Sequence, residues 1–206
     1  MKISRRATVL GLGASLAARL AWADEVEGLL GRVARARAGV RTLRGPFTQT
    51  RRIGLLASDV RSSGHVVLVR PDRLRWELEP PDPVTFWVTP EGLSYRTAHG
   101  QGRLPPARSG LASVLEDIGA LLGGDLQSLR RRWLLRVVRD EADGAQVEVT
   151  PRAPAPAMLE RMQIGLTADL ALPRTIVLVE GPRDRTTIEF GAMEVNAPID
   201  DALMRP

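Results

Sequence analysis

The sequence predicts a mainly β protein of the α+β class, a curved antiparallel sheet of about ten strands with helices laid over its apolar face. Three observations carry this. Short segments that alternate apolar and polar side chains fill most of the chain from Phe47 to Phe190. Segments of helical period stand before these strands and interrupt them once, near the middle. No regular strand–helix alternation occurs, which disfavours a parallel doubly wound or TIM-type sheet.

The first 23 residues have the layout of a cleavable export signal. Lys2, Arg5 and Arg6 precede an uncharged apolar run from Ala7 to Ala18, and Ala21-Trp22-Ala23 supplies the small-x-small pattern read by signal peptidase. The run is too short to span ~30 Å of hydrocarbon, and Arg19 interrupts it. Cleavage is expected to leave Asp24 first. Ser4-Arg5-Arg6 is similar to a twin-arginine start, although Thr8 and Val9 stand where that signal usually has Phe-Leu, which leaves both export routes open.

Asp24 to Val40 reads as an amphipathic helix, with Val26, Leu29, Leu30, Val33 and Ala34 on one stripe and Glu25, Glu27, Arg32 and Arg35 opposite. Asp24 is its expected N-cap and Gly39 its stop. Strand-like segments follow at 47–51, 62–70, 73–78, 84–88 and 93–97. Arg73 to Leu78 has the clearest period of two, placing Leu74, Trp76 and Leu78 on one face and Arg73, Arg75 and Glu77 on the other. One dry and one wet face is the habit of an antiparallel sheet.

Ser109 to Leu122 returns to helical spacing, with Leu111, Val114, Leu115, Ile118, Leu121 and Leu122 on one stripe. Gly123-Gly124-Asp125 ends it, and a shorter helix is expected over 126–131. Strands resume at 133–139, 146–150, 161–166, 173–179 and 186–190, with turn signals at Asp143-Gly144 and Gly181-Pro182. The proline-rich stretch from Pro151 to Pro156 reads as an exposed loop. Two amphipathic helical units need an apolar surface to cover, and the concave face of the sheet is the economical one.

Composition narrows the function. The chain has 206 residues with 29 basic and 24 acidic side chains, a net +5. Lys2, Arg5, Arg6 and Arg19 all precede Asp24, so the mature chain would carry 25 against 24, or +1. Acidic residues are interspersed throughout, unlike the concentrated basic face of a nucleic-acid binder, so no nucleic-acid partner is expected. The absence of cysteine excludes a disulfide framework, a thiolate metal site, a cysteine nucleophile and a lipid-anchored N-terminal cysteine. His65 and His99 show no ligand spacing, no G-x-S-x-G elbow occurs, and Gly123-Gly124 lacks a P-loop lysine. Glu77, Glu79 and Asp82 read as a solvated charged face rather than a glycosidase pair. The chain is read as a protein without catalytic residues, metal or cofactor.

Gly64 to Glu77, containing Arg70-Pro71-Asp72-Arg73-Leu74-Arg75-Trp76, resembles the most recognisable stretch of the LolA-type outer-membrane lipoprotein carrier family. Phe47-Thr48-Gln49 before it, Pro81 to Tyr95 after it, Ile188-Glu189-Phe190 and Asn196 to Leu203 extend the resemblance over nearly all of the chain after residue 23. Glu91-Gly92 stands where the family has Asp-Gly, and the segment after Tyr95 lacks its usual Asn-Pro or Asp-Pro.

The resemblance implies a half-open antiparallel barrel of about 10–11 strands in a single domain over 24–206, lidded by short helices and holding acyl chains in an apolar cavity. It implies a periplasmic monomer without cofactor that takes lipoproteins from an inner-membrane exporter to an outer-membrane receptor. Arg70 matches the family arginine that latches the lid. Candidate cavity residues are Leu74, Trp76, Leu78, Phe86, Trp87, Leu115, Ile118, Met162, Ile164, Leu166, Ile188 and Phe190. The Asp59 to Gly64 turn is similar to that of relatives associated with lipid or polyene-pigment export, so another acylated cargo is the alternative. A third expectation is an envelope domain that uses the same half-barrel to bind a protein partner.

Overall fold

The computed structural model describes residues 24–104, 110–123, 126–152 and 159–206. The expected export signal, Ser109, Gly124-Asp125 and the proline-rich stretch from residue 153 lie outside the described residues. The described chain begins in a helix over residues 24–36 (α1). Six strands follow: β1 (Thr42–Arg52), β2 (Val60–Val69), β3 (Arg73–Leu78), β4 (Val84–Thr89), β5 (Gly92–Thr97) and β6 (Gly100–Leu104). Two helices intervene, α2 (Gly110–Gly123) and α3 (Leu126–Arg132). Then come β7 (Trp133–Glu141), β8 (Gly144–Pro151), β9 (Arg161–Leu166), β10 (Pro173–Val179), β11 (Arg185–Phe190) and the two-residue β12 (Glu194–Val195), ending in a 3-10 turn at Asp201–Met204.

All twelve strands belong to one antiparallel sheet in the order β6-β5-β4-β3-β2-β1-β11-β10-β9-β8-β7, with β12 beside β1. The two ends of this path, β6 and β7, do not pair, so the barrel is not closed. Every pairing along this path joins sequence neighbours except the seam, where β1 meets β11 with Phe47 opposite Phe190. Every strand expected from the sequence is present. β6 and β12 are additions, as is the terminal 3-10 turn.

Registers line up the apolar positions into rows that cross the sheet. Leu43, Leu68, Leu74, Val88, Leu93 and Leu104 are successive partners from β1 to β6. Ile188, Ile176, Ile164, Val147 and Val137 form the matching row from β11 to β7. Because side chains alternate faces along a strand, a register that aligns one apolar pair aligns the whole row. These rows form one dry concave face.

Gly64 shows how tightly the centre of that face is built. A Cβ there would lie 2.0 Å from the Glu77 carbonyl oxygen and 2.7 Å from Phe47 Cζ. The missing side chain lets the Phe47 ring approach Trp76, with centroids 3.9 Å apart, and Phe190 meets Trp76 edge-on at 6.3 Å. Glycine at this position is a packing requirement rather than a turn signal.

Helix α1 keeps its predicted stripe with one correction. Val26, Leu29, Leu30 and Val33 are buried, whereas Ala34 is exposed and Arg37 takes the next inward position. Asp24 is already within the helix rather than capping it, and the chain turns at 37–39 as Gly39 predicts. In α2, Leu115, Ile118, Leu121 and Leu122 are each no more than 4% exposed.

Candidate functional site

The helices cover the concave face in two halves. Over the β2–β4 half lies α2, leaving beside it a cleft of about 290 Å³ that reaches Leu68, Leu74 and Val88. Glu116, Gly119 and Ala120 of α2 form its opposite bank, and the Pro71-Asp72 and Thr89-Pro90 turns form its rim. Over the β7–β9 half, α1, α2 and α3 converge and nearly fill the interior. Only about 20 Å³ remains among Leu30, Leu121, Leu129, Leu135, Val147 and Ile164. That space has room for about one water and none for an acyl chain. This half of the interior is apolar and shut.

Most of the residues singled out from the sequence do face this interior. Leu74, Trp76, Met162, Ile164, Leu166 and Ile188 are buried on the sheet side, and Leu115 and Ile118 are buried on the helix side. Leu78, Phe86 and Phe190 are partly buried and pack against the same cluster. Trp87 is a correction. It pairs with Arg75 while Phe86 pairs with Trp76, so the two neighbouring aromatics point to opposite faces. On the convex side Trp87 Nε1 donates to the Leu203 carbonyl at 2.9 Å, and Arg96 and Arg75 lie 5.3 and 5.9 Å from its ring centre. It anchors the terminal turn to the barrel wall.

Polar contacts fasten the helices from several directions. Glu27 of α1 pairs with Arg130 of α3, and Arg32 of α1 pairs with Asp140 of β7. These pairs are substantially exposed, so each contributes about 0–1 kcal/mol. Asp117 of α2 is buried, accepts from Trp133 Nε1 at 3.0 Å and is held by Arg132. Burial pushes its carboxyl up to about 6, overcoming the downward pull of the Arg132 charge and of both hydrogen bonds.

Arg70 stands at the end of β2, and its Nη1 donates to the carbonyls of Arg37 and Val40 at 3.2 and 3.1 Å. It therefore grips the C-terminal turn of α1. The bond that reaches α2 is made by Arg37, whose Nη1 donates to the Leu121 carbonyl. Arg37 is only 1% exposed. Burial first, and then the neighbouring Arg70 charge, push its guanidinium down to about 10, so it stays protonated at neutral pH. The sequence reading passed over Arg37, although its position four residues after Val33 places it on the buried stripe of α1.

The C-terminal segment closes the base of α1. Asn196 Nδ2 donates to the Gly39 carbonyl at 2.8 Å, and its Oδ1 accepts from the Arg41 backbone at 2.7 Å. Its φ of 59° is one that asparagine tolerates better than most residues. Among the described residues no group of three or more His, Cys, Asp or Glu could hold a metal ion. Among the same residues no helix is long and apolar enough to cross a membrane.

The family model for the outer membrane lipoprotein carrier protein LolA matches residues 38–205. Among solved structures, an uncharacterized conserved protein from Thermus thermophilus superposes with a TM-score of 0.54 at 9% identity, over 88% of this chain and 94% of that one. A LolA superfamily protein from Nitrosomonas europaea superposes with a TM-score of 0.50 at 9% identity, over 87% of this chain and 97% of that one. At such identities the likeness is one of fold. A comparison with curated protein sequences finds no match.

Proposed function

The chain belongs to the outer membrane lipoprotein carrier protein LolA family, and on that premise we propose that it escorts acylated cargo across the periplasm inside its concave face. The observation that carries this reading is the dry, continuous concave surface whose cover consists of separate amphipathic helices. Such a cover can be exchanged for hydrocarbon of the same chemistry.

The magnitudes make the exchange feasible. Leu115, Ile118, Leu121 and Leu122 of α2 contribute about 1.5–3 kcal/mol each when removed from water, or roughly 6–12 kcal/mol together. An acyl chain burying about fourteen methylenes at ~0.8 kcal/mol each gains about 11 kcal/mol. Neither occupant overwhelms the other, so cargo displaces helix on loading and helix displaces cargo on release. The exposed ion pairs around α1 and α3 resist opening only weakly.

In this reading cargo is received from an inner-membrane exporter and passed to an outer-membrane receptor, with Arg70 as a latch that helps the helices close again. Residues 1–23 direct export and are removed, leaving one domain over 24–206. The mass of the periplasmic form checks that boundary, since retention of residues 1–22 contradicts it. Lipoproteins are the cargo this family reading favours. Mass spectrometry of material that co-purifies from envelope extracts tests it. Co-purifying lipopeptides support the lipoprotein reading, glycolipids or polyenes replace it with another acylated cargo, and a reproducibly empty protein overturns the carrier reading.

A further inference from the structure

Arg37 is the most deeply buried charged side chain among the described residues. Its Nη1 is engaged by the Leu121 carbonyl, while Nε and Nη2 are buried without a partner among the described residues. These two nitrogens share one edge of the planar guanidinium. That edge makes two parallel N–H···O bonds to a carboxylate or phosphate. A buried donor left unpaired costs free energy, and here both donors of one edge are left so.

The surroundings fit an anion attached to hydrocarbon. Arg37 borders the apolar void with Leu29, Val33, Leu121, Ile164 and Leu166 around it. The Arg70 guanidinium lies close enough to act on Arg37 more strongly than the one nearby acid, Asp169. The Asp169 carboxylate is itself occupied by the Thr167 hydroxyl at 2.5 Å and the Ala171 backbone N–H at 3.0 Å. Arg37 thus reaches the void without a buried counter-charge, and Arg70 adds a second positive charge from the exposed side.

The geometry points to Arg37 as a head-group site inside the acyl cavity: the anionic oxygen pair of a fatty carboxylate or alkyl phosphate docks on Nε and Nη2 while its chain lies along the β8–β9 wall. This inference rests on the acyl-binding reading above. It adds a preference for acidic over neutral acyl compounds and assigns that preference to one residue. The void is too small for a chain until α2 moves, and moving α2 breaks the Arg37–Leu121 bond. The same side chain therefore holds the lid in the empty state and the head group in the loaded one. A ligand that bonds Arg37 only when α2 has left shifts the equilibrium toward the open form.

The test is competition of hexadecanoate, hexadecyl phosphate and the neutral methyl ester of hexadecanoate against a bound fluorescent hydrophobic probe. Preference for at least one anion over the methyl ester by about tenfold or more is expected, a size set by charge-assisted hydrogen bonding. The two anion arms show whether carboxylate or phosphate is the better fit. Arg37→Met should remove the preference, and because it also frees α2 the methyl ester should bind at least as tightly as it does to the wild type. Arg37→Lys, which keeps the charge and loses the fork, serves if the methionine variant does not fold, and it too should lose most of the preference. In the wild type, the Arg37 Nε–H resonance should move downfield with the preferred anion, as a new bond to an anionic oxygen requires, and should not do so with the methyl ester. Equal binding of all three compounds, a preference retained in the variant that folds, or a silent Nε–H resonance overturns the inference while leaving the acyl-binding reading intact. Absence of binding by all three compounds overturns the carrier reading itself.

Discussion

Ile118→Ala separates a lid from an ordinary core. Ile118 lies on the buried stripe of α2 at 2% exposure, amid Leu115, Leu121 and Leu122. Truncating a buried isoleucine to alanine costs about 2–5 kcal/mol through lost transfer energy and the cavity left behind. If α2 must leave the sheet before cargo enters, that cost falls on the shut state and spares the loaded one. Apparent affinity scales with the open fraction, so even the lower figure of about 2 kcal/mol strengthens acyl binding about 30-fold. The assay is a fluorescence titration with a fatty-acyl probe at matched protein concentrations, with thermal melting run alongside. The account expects a lower Tm together with tighter probe binding. A lower Tm with unchanged or weaker binding refutes the reasoning, because α2 would then be part of a fixed core.

Three further perturbations probe other parts of the design. Arg70→Leu removes two bonds made by one nitrogen of an exposed side chain, so it should weaken closure by only about 1 kcal/mol. Probe loading should stay normal or improve while transfer to acceptor vesicles slows, and wild-type transfer would deny Arg70 the latch role. Gly64→Ala drives a Cβ to within 2.0 Å of the Glu77 carbonyl oxygen. Strain of about 1–3 kcal/mol or more should lower the denaturant midpoint, and an unchanged midpoint would show that the packing of β1, β2 and β3 yields freely there. Burial raises Asp117 from the ordinary 3.8 to about 6, so the folded helices hold its proton more tightly than the unfolded chain does. Its contribution therefore favours the folded form below about pH 4 and is lost as pH rises through about 6. The stability difference between wild type and Asp117→Asn should follow that sign between pH 4 and 7, and a flat difference would contradict it.

The sheet was legible in the sequence because half-buried strands carry their own period. Arg73 to Leu78 alternates so regularly that its bounds and both of its faces follow from the residues alone. Gly100 to Leu104 did not read as a strand, because Gly100, Gln101 and Gly102 offer no apolar alternation and the strand is held by pairing with β5 at the sheet edge. Phe86 and Trp87 are both expected among the cavity residues from their aromatic character. The strand period separates them, and the convex face turned out to have its own apolar anchor in the terminal turn. The helix stripes marked where the cover lies, but not which polar groups fasten it. Arg70 is conspicuous beside Pro71, whereas Arg37 looks like one more surface arginine until its spacing from Leu30 and Val33 is counted. Burial of a charge is a property of the assembled layers, and composition carries no trace of it.

The central claim is that the concave face exchanges its helical cover for acyl chains. Hydrogen exchange across α2 and the inner rows of β8 and β9, followed during titration with a fatty-acyl probe, tests that claim most directly. The account predicts saturable, lipid-competed binding at about micromolar affinity or better, with protection lost in α2 and retained or gained in the strands. Absence of saturable binding, or binding that leaves α2 as protected as in the empty protein, would contradict it.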